Sequence, residues 1–213
     1  MQRIHLSLLI VIGSLFFFVP STNAEWYVGG QAGYVKPNDL KDVEGTGSAS
    51  GISLSDLELK DAFGYGAKVG YFFENLEWLG VEFETFTANP HIKKQNVTAS
   101  LGGSSVLGTL SSTDFRIIVP AVNVIVRYPG YYVEPYAGAG LGVFFAKISD
   151  SGGKDNDVSP GVNAIAGLRF YVNEDWGIFT EYKYNYAHFK FDDALIEADY
   201  SSHGIYGGVS FHF

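Results

Sequence analysis

The sequence contains no cysteine among its 213 residues, so disulfide bonds and thiolate metal sites are excluded. Charged residues make up only 17% of the chain, and 23 acidic residues against 14 basic ones give a net charge of −9. This charge does not fit nucleic-acid binding, which requires a basic surface. No apolar run reaches the roughly 20 residues that a membrane-spanning helix needs.

The N-terminus has the layout of a secretory signal peptide. Arg3 precedes a mostly apolar stretch, residues 6–19, and the small residue Ala24 follows shortly after it. We therefore predict that residues 1–24 are a cleaved signal peptide and that residues 25–213 form the mature domain. A membrane-anchor helix is the alternative, but this apolar stretch is too short to cross a bilayer.

The sequence is rich in aromatic residues and glycine, and its apolar residues recur at every second position. Aromatic residues make up 16% of the chain, with 14 Tyr and 17 Phe, and there are 26 Gly, a composition that favours strands over helices. After Glu25, apolar residues alternate with glycine or polar residues in segments of roughly ten residues, the length of a tilted strand that crosses a bilayer. The eight segments are 26–34, 63–73, 79–86, 115–128, 131–145, 161–172, 177–189 and 206–213.

Short and long connections alternate between these segments. The short ones are 74–78, 128–131 and 173–176, and the long ones are about 36–61, 89–113, 149–157 and 190–199. Outer-membrane barrels have short periplasmic turns and longer outside loops in this order. We therefore predict an all-β fold, an eight-stranded antiparallel up-and-down transmembrane barrel. Residues 51–61 could form a β-extension above the membrane or a further hairpin giving ten strands, and the absence of a tight turn there favours eight.

The two faces of the segments differ in a way that indicates which side is the lumen. Charged residues share a face with glycine and asparagine, whereas the other face is almost uninterrupted Val, Ala, Leu, Phe and Tyr. A water-facing surface would rarely combine many glycines with few charges, and glycines fit the crowded interior of a small barrel. We therefore predict that the charges face the lumen and the apolar face contacts lipid. Trp78 and Trp176 would lie at the membrane interface as an aromatic girdle.

Each tight hairpin offers one basic residue before its turn and one glutamate after it. The three pairs are Lys68 with Glu82, Arg127 with Glu134, and Arg169 with Glu181. Because the midpoint of each pair falls inside a predicted turn, we expect each pair to lie directly across its hairpin. Glu84 and Lys183 would extend this lumen network one layer higher. The network could be the ionic gate of a small pore or a filled, charge-paired core, and the narrow lumen of eight strands favours the core.

Three stretches resemble a known family: "PYAGAGLGV" at 135–143, "GLRFYVNEDWGIFTEYKY" at 167–184 and "YGGVSFHF" at 206–213. They are similar to the outer-membrane β-barrel proteins of the OmpA-like and opacity-type surface-antigen group, over essentially all of 25–213. The resemblance implies that Val209, Phe211 and Phe213 are the recognition signal for the barrel-assembly machinery, with the last strand closing the barrel against the first. The chain departs from the OmpA type by ending there, without a peptidoglycan-binding domain.

The resemblance also implies a location and partners. We expect export through the periplasm to the bacterial outer membrane, contact with its lipid and lipopolysaccharide, and contact with periplasmic chaperones and the barrel-assembly machinery during biogenesis. The motifs are specific to the architecture and weak on activity. A host or surface ligand is possible, and these motifs do not identify it.

The sequence offers no catalytic constellation and no metal-ligand spacing, so we predict no enzyme activity, no cofactor and no metal site. We expect a structural or surface-interaction role, in envelope integrity, adhesion or host contact through the loops. The first alternative is a narrow pore for ions or small solutes. The second is a lipid A-modifying enzyme, since some small barrels are deacylases with a His-x-Ser arrangement. Here Ser201 and His203 share a face but stand in the other order.

Overall fold

In the part of the chain that the computed structural model describes, the regular structure is β-sheet, apart from one short 3-10 helix at Gly47–Ala49. The structure describes residues 25–101, 104–110, 113–130, 132–149, 154–191 and 196–213, so the predicted signal peptide lies outside the described residues. Within these ranges no helix is long and apolar enough to cross a membrane. The strands are β1 (Glu25–Pro37), β2 (Lys41–Gly45), β3 (Ile52–Leu54), β4 (Ala62–Phe73), β5 (Leu76–Ala88), β6 (His91–Ile92), β7 (Gln95–Leu101), β8 (Ser104–Leu110), β9 (Thr113–Arg127), β10 (Val133–Ser149), β11 (Lys154–Tyr171), β12 (Trp176–Phe191) and β13 (Ile196–His212).

Eight of these strands close into a barrel in the order β1, β4, β5, β9, β10, β11, β12 and β13, and each pair of neighbours is antiparallel. β13 pairs back with β1, from His212 opposite Tyr27 to Ser202 opposite Pro37. A closed barrel leaves no unpaired strand edge within the hydrocarbon of a bilayer. The prediction of an eight-stranded antiparallel up-and-down barrel is confirmed.

Strand β9 shows how the period of two separates lipid from lumen. Val122, Val124 and Val126 are 57%, 52% and 46% exposed, whereas Asn123 and Ile125 between them are 0% and 1% exposed. Successive side chains of a strand point to opposite faces of the sheet. The valines therefore face outward, where acyl chains surround a membrane barrel, and the alternate residues fill the lumen.

The barrel strands are longer than the sequence predicted. β10 has 17 residues and β11 has 18, so most of the predicted loop 149–157 belongs to their far ends. Inward residues continue to pack toward these far ends, since Phe144 and Ala146 are buried. The strands extend beyond the membrane section because their inward side chains still pack into a buried core there.

Four of the five remaining strands build a sheet on the long-loop side of the barrel, which is the extracellular side, and the fifth, β6, pairs with β9. β2 pairs with the far end of β13, β3 pairs with β2 and β7, and β7 pairs with β8. We call β2, β3, β7 and β8 the extracellular sheet. Within residues 51–61, Ile52–Leu54 therefore belong to an extension above the membrane, and the preference for eight barrel strands over ten is confirmed.

Pro120 lies within β9 although it has no N–H for the ladder. The pairing of β9 with β10 runs to Ala121 opposite Gly142 and resumes at Ile118 opposite Phe145. On its other edge Pro120 lies opposite Thr85 of β5. The missing donor interrupts one ladder locally without shifting the register of the barrel.

Candidate functional site

The lumen has three levels along the barrel axis, and the lowest is a cavity at the short-turn end. Glu25, at the start of β1, lies 2.6 Å from Arg127 Nη2 and 2.6 Å from His212 Nδ1. Arg127 Nη1 also lies 3.3 Å from Glu134. These side chains, with Tyr171, line an open cavity of about 850 Å³, which we call the periplasmic vestibule.

Above the vestibule lies a cluster of buried charges, which we call the ion-pair layer. Lys68 Nζ lies 2.8 Å from Glu181 and 3.3 Å from Glu82. Lys183 Nζ contacts Glu84 and lies 3.5 Å from Glu181. All five side chains are at most 1% exposed. Charges this deeply buried require partners, because an isolated ion in a low-dielectric interior is very costly.

Amide side chains complete the coordination of Glu84. Its carboxylate accepts hydrogen bonds from Gln31 Nε2 at 3.2 Å, Asn123 Nδ2 at 3.2 Å and Asn163 Nδ2 at 3.1 Å. Gly140 makes room for this arrangement, since a Cβ there would lie 2.1 Å from Asn123 Oδ1. The sequence pattern places asparagine on the charged face, but the role of these amides was not predicted from it.

Aromatic rings line the same interior and were also missed from the sequence. Tyr27 donates a hydrogen bond to Glu82 at 2.6 Å, and Tyr136 donates one to Glu181 at 2.9 Å. The Arg127 guanidinium lies 3.6 Å from the centre of the Phe72 ring. These rings stabilise the cations through their π faces and close the space between the charges. The sequence pattern does indicate that these rings face inward, since Tyr27, Phe72 and Tyr136 alternate with lipid-facing residues.

The structure brings two of the three expected base–glutamate pairs into contact, although none lies directly across its hairpin. Across their hairpins Lys68 is opposite Glu84, Arg127 is opposite Tyr136, and Arg169 is opposite Phe179. The expected partners Glu82 and Glu134 are therefore the next inward-facing residues along their strands from the positions directly opposite Lys68 and Arg127. They are still close enough to contact these two cations.

Arg169 and Glu181 have other partners. Arg169 Nη1 lies 3.0 Å from Glu134, which stands directly opposite it on β10. Glu181 lies across the lumen between Lys68 and Lys183. Pairing within a hairpin is only one possibility, because a narrow lumen lets long side chains pair across the whole circle of strands.

The extracellular half of the lumen is apolar, which was not predicted from the sequence. Phe86, Phe115, Phe144 and Phe189 are between 0% and 5% exposed and belong to one cluster. Four residues of the first long loop and one residue of the second belong to the same cluster: Leu40, Val43, Leu57 and Leu59, and Ile92 of β6. We call this cluster the apolar layer. It closes the barrel above the ion-pair layer with packed side chains that water does not solvate.

The extracellular sheet ends in a free strand edge. β8 pairs with β7, and no described strand pairs with its other side. Its residues Val106 and Leu107 are 69% and 78% exposed. Beside this sheet, Lys93 donates a hydrogen bond to Glu58 at 3.0 Å, and this contact raises the pKa of Lys93 above its usual value.

Aromatic side chains mark the short-turn end on the outside of the barrel. Trp78, Trp176 and Trp26 are all exposed. The Trp176 ring lies 5.1 Å from that of Phe211 on β13. Phe213 and Trp26 exchange backbone hydrogen bonds of 2.9 Å and 3.0 Å, which complete the closure of the barrel. Val209 faces outward on β13 and is exposed.

Ser201 and His203 do not contact one another in the described structure. The Ser201 hydroxyl lies 2.9 Å from Asn38 Nδ2. His203 Nδ1 lies 2.6 Å from the Tyr182 hydroxyl, and its ring packs near Tyr184. Within the described ranges no group of three His, Asp or Glu residues is placed to hold a metal ion.

Comparison with known proteins agrees with this architecture. A family model for the outer membrane protein beta-barrel domain matches residues 8–213. No curated protein sequence matches the chain. The fold is similar to that of Neisserial surface protein A, NspA, with a TM-score of 0.58 and 19% identity over 88% of this chain and 97% of that one.

Two further solved structures share the fold. OprG from Pseudomonas aeruginosa has a TM-score of 0.55 and 16% identity, over 89% of this chain and 96% of its own. Ail, the attachment invasion locus protein of Yersinia pestis, solved with the heparin analogue sucrose octasulfate, has a TM-score of 0.51 and 19% identity, over 90% of this chain and 100% of its own. At these identities the likeness concerns the fold.

Proposed function

The chain belongs to the outer membrane protein beta-barrel domain family, and from this premise we propose that it is a non-conducting, non-catalytic barrel that contacts ligands through its extracellular sheet. Its place in the bacterial outer membrane follows from the family. Envelope integrity, adhesion and host contact are the roles that such a surface can serve. One structural relative, Ail, carries attachment in its name, and this supports the proposal by analogy.

The observation that carries the proposal is the closed lumen. The ion-pair layer fills the middle of the barrel with side chains that are at most 1% exposed. Above it, the apolar layer leaves Phe144 and Phe189 0% exposed. A hydrated ion would have to break buried ion pairs and then cross a dry hydrocarbon section, and both steps are costly.

The extracellular sheet offers a contact surface that the lumen does not. Residues 95–113 contain no Asp, Glu, Lys or Arg, although the chain as a whole carries a net charge of −9. Natural sheets usually protect a free edge with charges or proline, because an open edge can pair with another chain. The unprotected β8 edge, with Val106 and Leu107 exposed, suits an extended segment of a partner that adds a strand to the sheet.

Binding through the β8 edge is tested with Leu107→Lys, which places a charge on this edge. Ser48→Lys adds the same charge to the exposed 3-10 turn and is the matched control. Bacteria that display each variant are applied to immobilised epithelial-cell matrix. We expect reduced attachment for Leu107→Lys and unchanged attachment for Ser48→Lys. Equal attachment of both variants and the unmodified protein would contradict a role for this edge.

A narrow pore is the second candidate, and the open periplasmic vestibule favours it. Single-channel recording in planar bilayers separates the two functions. The proposal predicts no discrete conductance steps from folded, reconstituted protein. Steps that change in size with Glu82→Gln or Arg169→Gln would establish the pore instead.

The absence of catalysis is part of the proposal and has its own test. Mass spectrometry of lipid A compares cells that produce the protein with cells that do not. We expect identical acyl chain composition. A missing acyl chain that is restored by Ser201→Ala would show lipid A modification.

A further inference from the structure

Two basic residues stand side by side on the outside of the barrel at its extracellular end. Arg116 of β9 and Lys147 of β10 are directly opposite each other, and both are exposed. Directly opposed residues on one face of a sheet have Cβ atoms about 5 Å apart, and like charges placed this way are destabilising. Asn156 of β11 continues the same row beside Lys147.

The described side chains supply no acidic partner for this pair. The ion pairs between described side chains involve neither Arg116 nor Lys147. Asp157 of the neighbouring strand is opposite Ala146, which is buried, so it belongs to the other face of the sheet. Asp114 is the nearest acidic position on the same face, one row further from the membrane. Two adjacent cations in a chain of net charge −9 therefore call for an anion from outside.

The surface changes abruptly from apolar to basic at this row. The row below consists of Ile118, Phe145 and Val158, which are 37%, 44% and 56% exposed. Further down the same strands, the outward side chains remain apolar to the short-turn end: Pro120, Val122, Val124, Val126, Ala137, Ala139, Leu141, Val143, Pro160, Val162, Ala164 and Ala166. Acyl chains fit this column of side chains, and the two cations stand at its upper end.

The length of this column places the cations at the level of lipid headgroups. Tyr128, 62% exposed, stands at the short-turn end of β9, ten residues from Ile118. Ten residues of strand, at about 3.3 Å each and tilted by about 40°, rise roughly 25 Å, which is the height of the apolar band of an outer-membrane barrel. Arg116 and Lys147 therefore lie just beyond the hydrocarbon, in the outer leaflet.

We propose that Arg116 and Lys147 form a binding site for the phosphate group of an anionic lipid of the outer leaflet, whose acyl chains lie along Ile118, Phe145 and Val158. The Arg guanidinium matches phosphate oxygens with paired N–H donors, and the Lys ammonium adds a compact charge. A phosphate group that lies between the two cations attracts both of them and offsets their mutual repulsion. The apolar row beneath selects an amphiphile over a soluble anion.

The test measures lipid binding by the purified chain refolded in detergent, using diphosphoryl lipid A and its dephosphorylated form as probes. The double variant Arg116→Gln/Lys147→Gln removes the site. The matched control, Lys36→Gln/Lys190→Gln, removes two exposed outward cations from β1 and β12, so the loss of net charge is equal. Boiled and unboiled gel mobility verifies that every variant is folded.

We expect the double variant to bind diphosphoryl lipid A at least about tenfold more weakly, since charged hydrogen bonds to phosphate are lost. The control variant should bind it like the unmodified protein, and the dephosphorylated lipid should bind weakly to all three. Equal losses in the two double variants would show a general charge effect and overturn the site. Competition by inorganic pyrophosphate at the affinity of the lipid would overturn the lipid as its ligand. The single variants Arg116→Lys and Lys147→Arg should retain most of the binding.

Discussion

Glu84 offers the sharpest test of the closed lumen. It is 0% exposed, contacts Lys183, and accepts hydrogen bonds from three amide side chains. Replacing it with glutamine keeps the shape and removes the charge. Lys183 would then have only Glu181, at 3.5 Å, to balance its ammonium group.

The expected loss follows from the cost of a buried charge without its partner. Breaking a buried ion pair from one side destabilises a protein by about 3–5 kcal/mol. For Glu84→Gln we expect the lower part of this range, about 3 kcal/mol, because Glu181 still compensates in part. At a slope of about 2 kcal/mol per molar urea, the unfolding midpoint would fall by roughly 1.5 M.

The assay is urea unfolding of the protein refolded in lipid vesicles, followed by tryptophan fluorescence and by gel mobility. Glu74→Gln, in the exposed turn between β4 and β5, is the matched control and should change stability by less than about 0.5 kcal/mol. Adding Lys183→Met to Glu84→Gln should recover most of the loss, since a buried pair can be replaced by apolar groups at little cost.

Two outcomes would refute this reasoning. One is a loss for Glu84→Gln that does not exceed the loss for Glu74→Gln. The other is a double variant whose loss equals the sum of the two single losses, because additivity would show that Glu84 and Lys183 are not coupled. In either case the lumen would be hydrated enough to solvate its charges, and a pore would become the better interpretation.

Three further predictions follow from other levels of the structure. Gly140→Ala should destabilise the barrel by about 1–3 kcal/mol, since its Cβ would lie 2.1 Å from Asn123 Oδ1. Gly30→Ala, where a Cβ would meet nothing within 4 Å, is its control, and equal losses in urea unfolding would contradict the packing argument. Phe144→Ala should cost about 3–5 kcal/mol because it opens a cavity in the apolar layer. Phe145→Ala, at the neighbouring lipid-facing position, should reduce the free energy of unfolding clearly less. A larger loss for Phe145→Ala than for Phe144→Ala would contradict the placement of the apolar layer inside the barrel. Variants that retain only Trp78 or only Trp176 should be quenched most strongly by lipids that carry a quencher near the headgroup, and maximal quenching at the bilayer centre would exclude an interfacial girdle.

The barrel could be predicted from the sequence because its signal repeats. Alternation in β9 from Phe115 to Arg127 and in β13 up to His212 requires no knowledge of any other strand. Polarity then decided which face turned inward, since Lys68 and Arg169 each share a face with glycines. These are local properties, and each of the eight segments reports them independently.

The arrangement inside the lumen could not be predicted in the same way. The partner of Arg169 depends on the register of β10 against β11, and the position of Glu181 depends on side chains that reach across the barrel. Register follows from turn geometry, which the residues of the tight turns indicate only to within one or two positions. The apolar layer was missed because part of it comes from Leu40, Val43, Leu57 and Leu59, in a loop whose pattern resembles an exposed β-extension.

The contrast between the two halves of the lumen bears on how relatives of this chain can diverge. In the apolar layer, side chains such as Phe144 and Ile117 interact only through shape, so exchanges that conserve volume can accumulate one at a time. In the ion-pair layer, loss of Lys68 leaves Glu82 without an ion-pair partner and Glu181 with Lys183 alone, so single substitutions there are selected against unless a second one compensates. Descendants of a common ancestor should therefore show gradual drift at the outer end of the barrel and correlated, stepwise replacement near its middle.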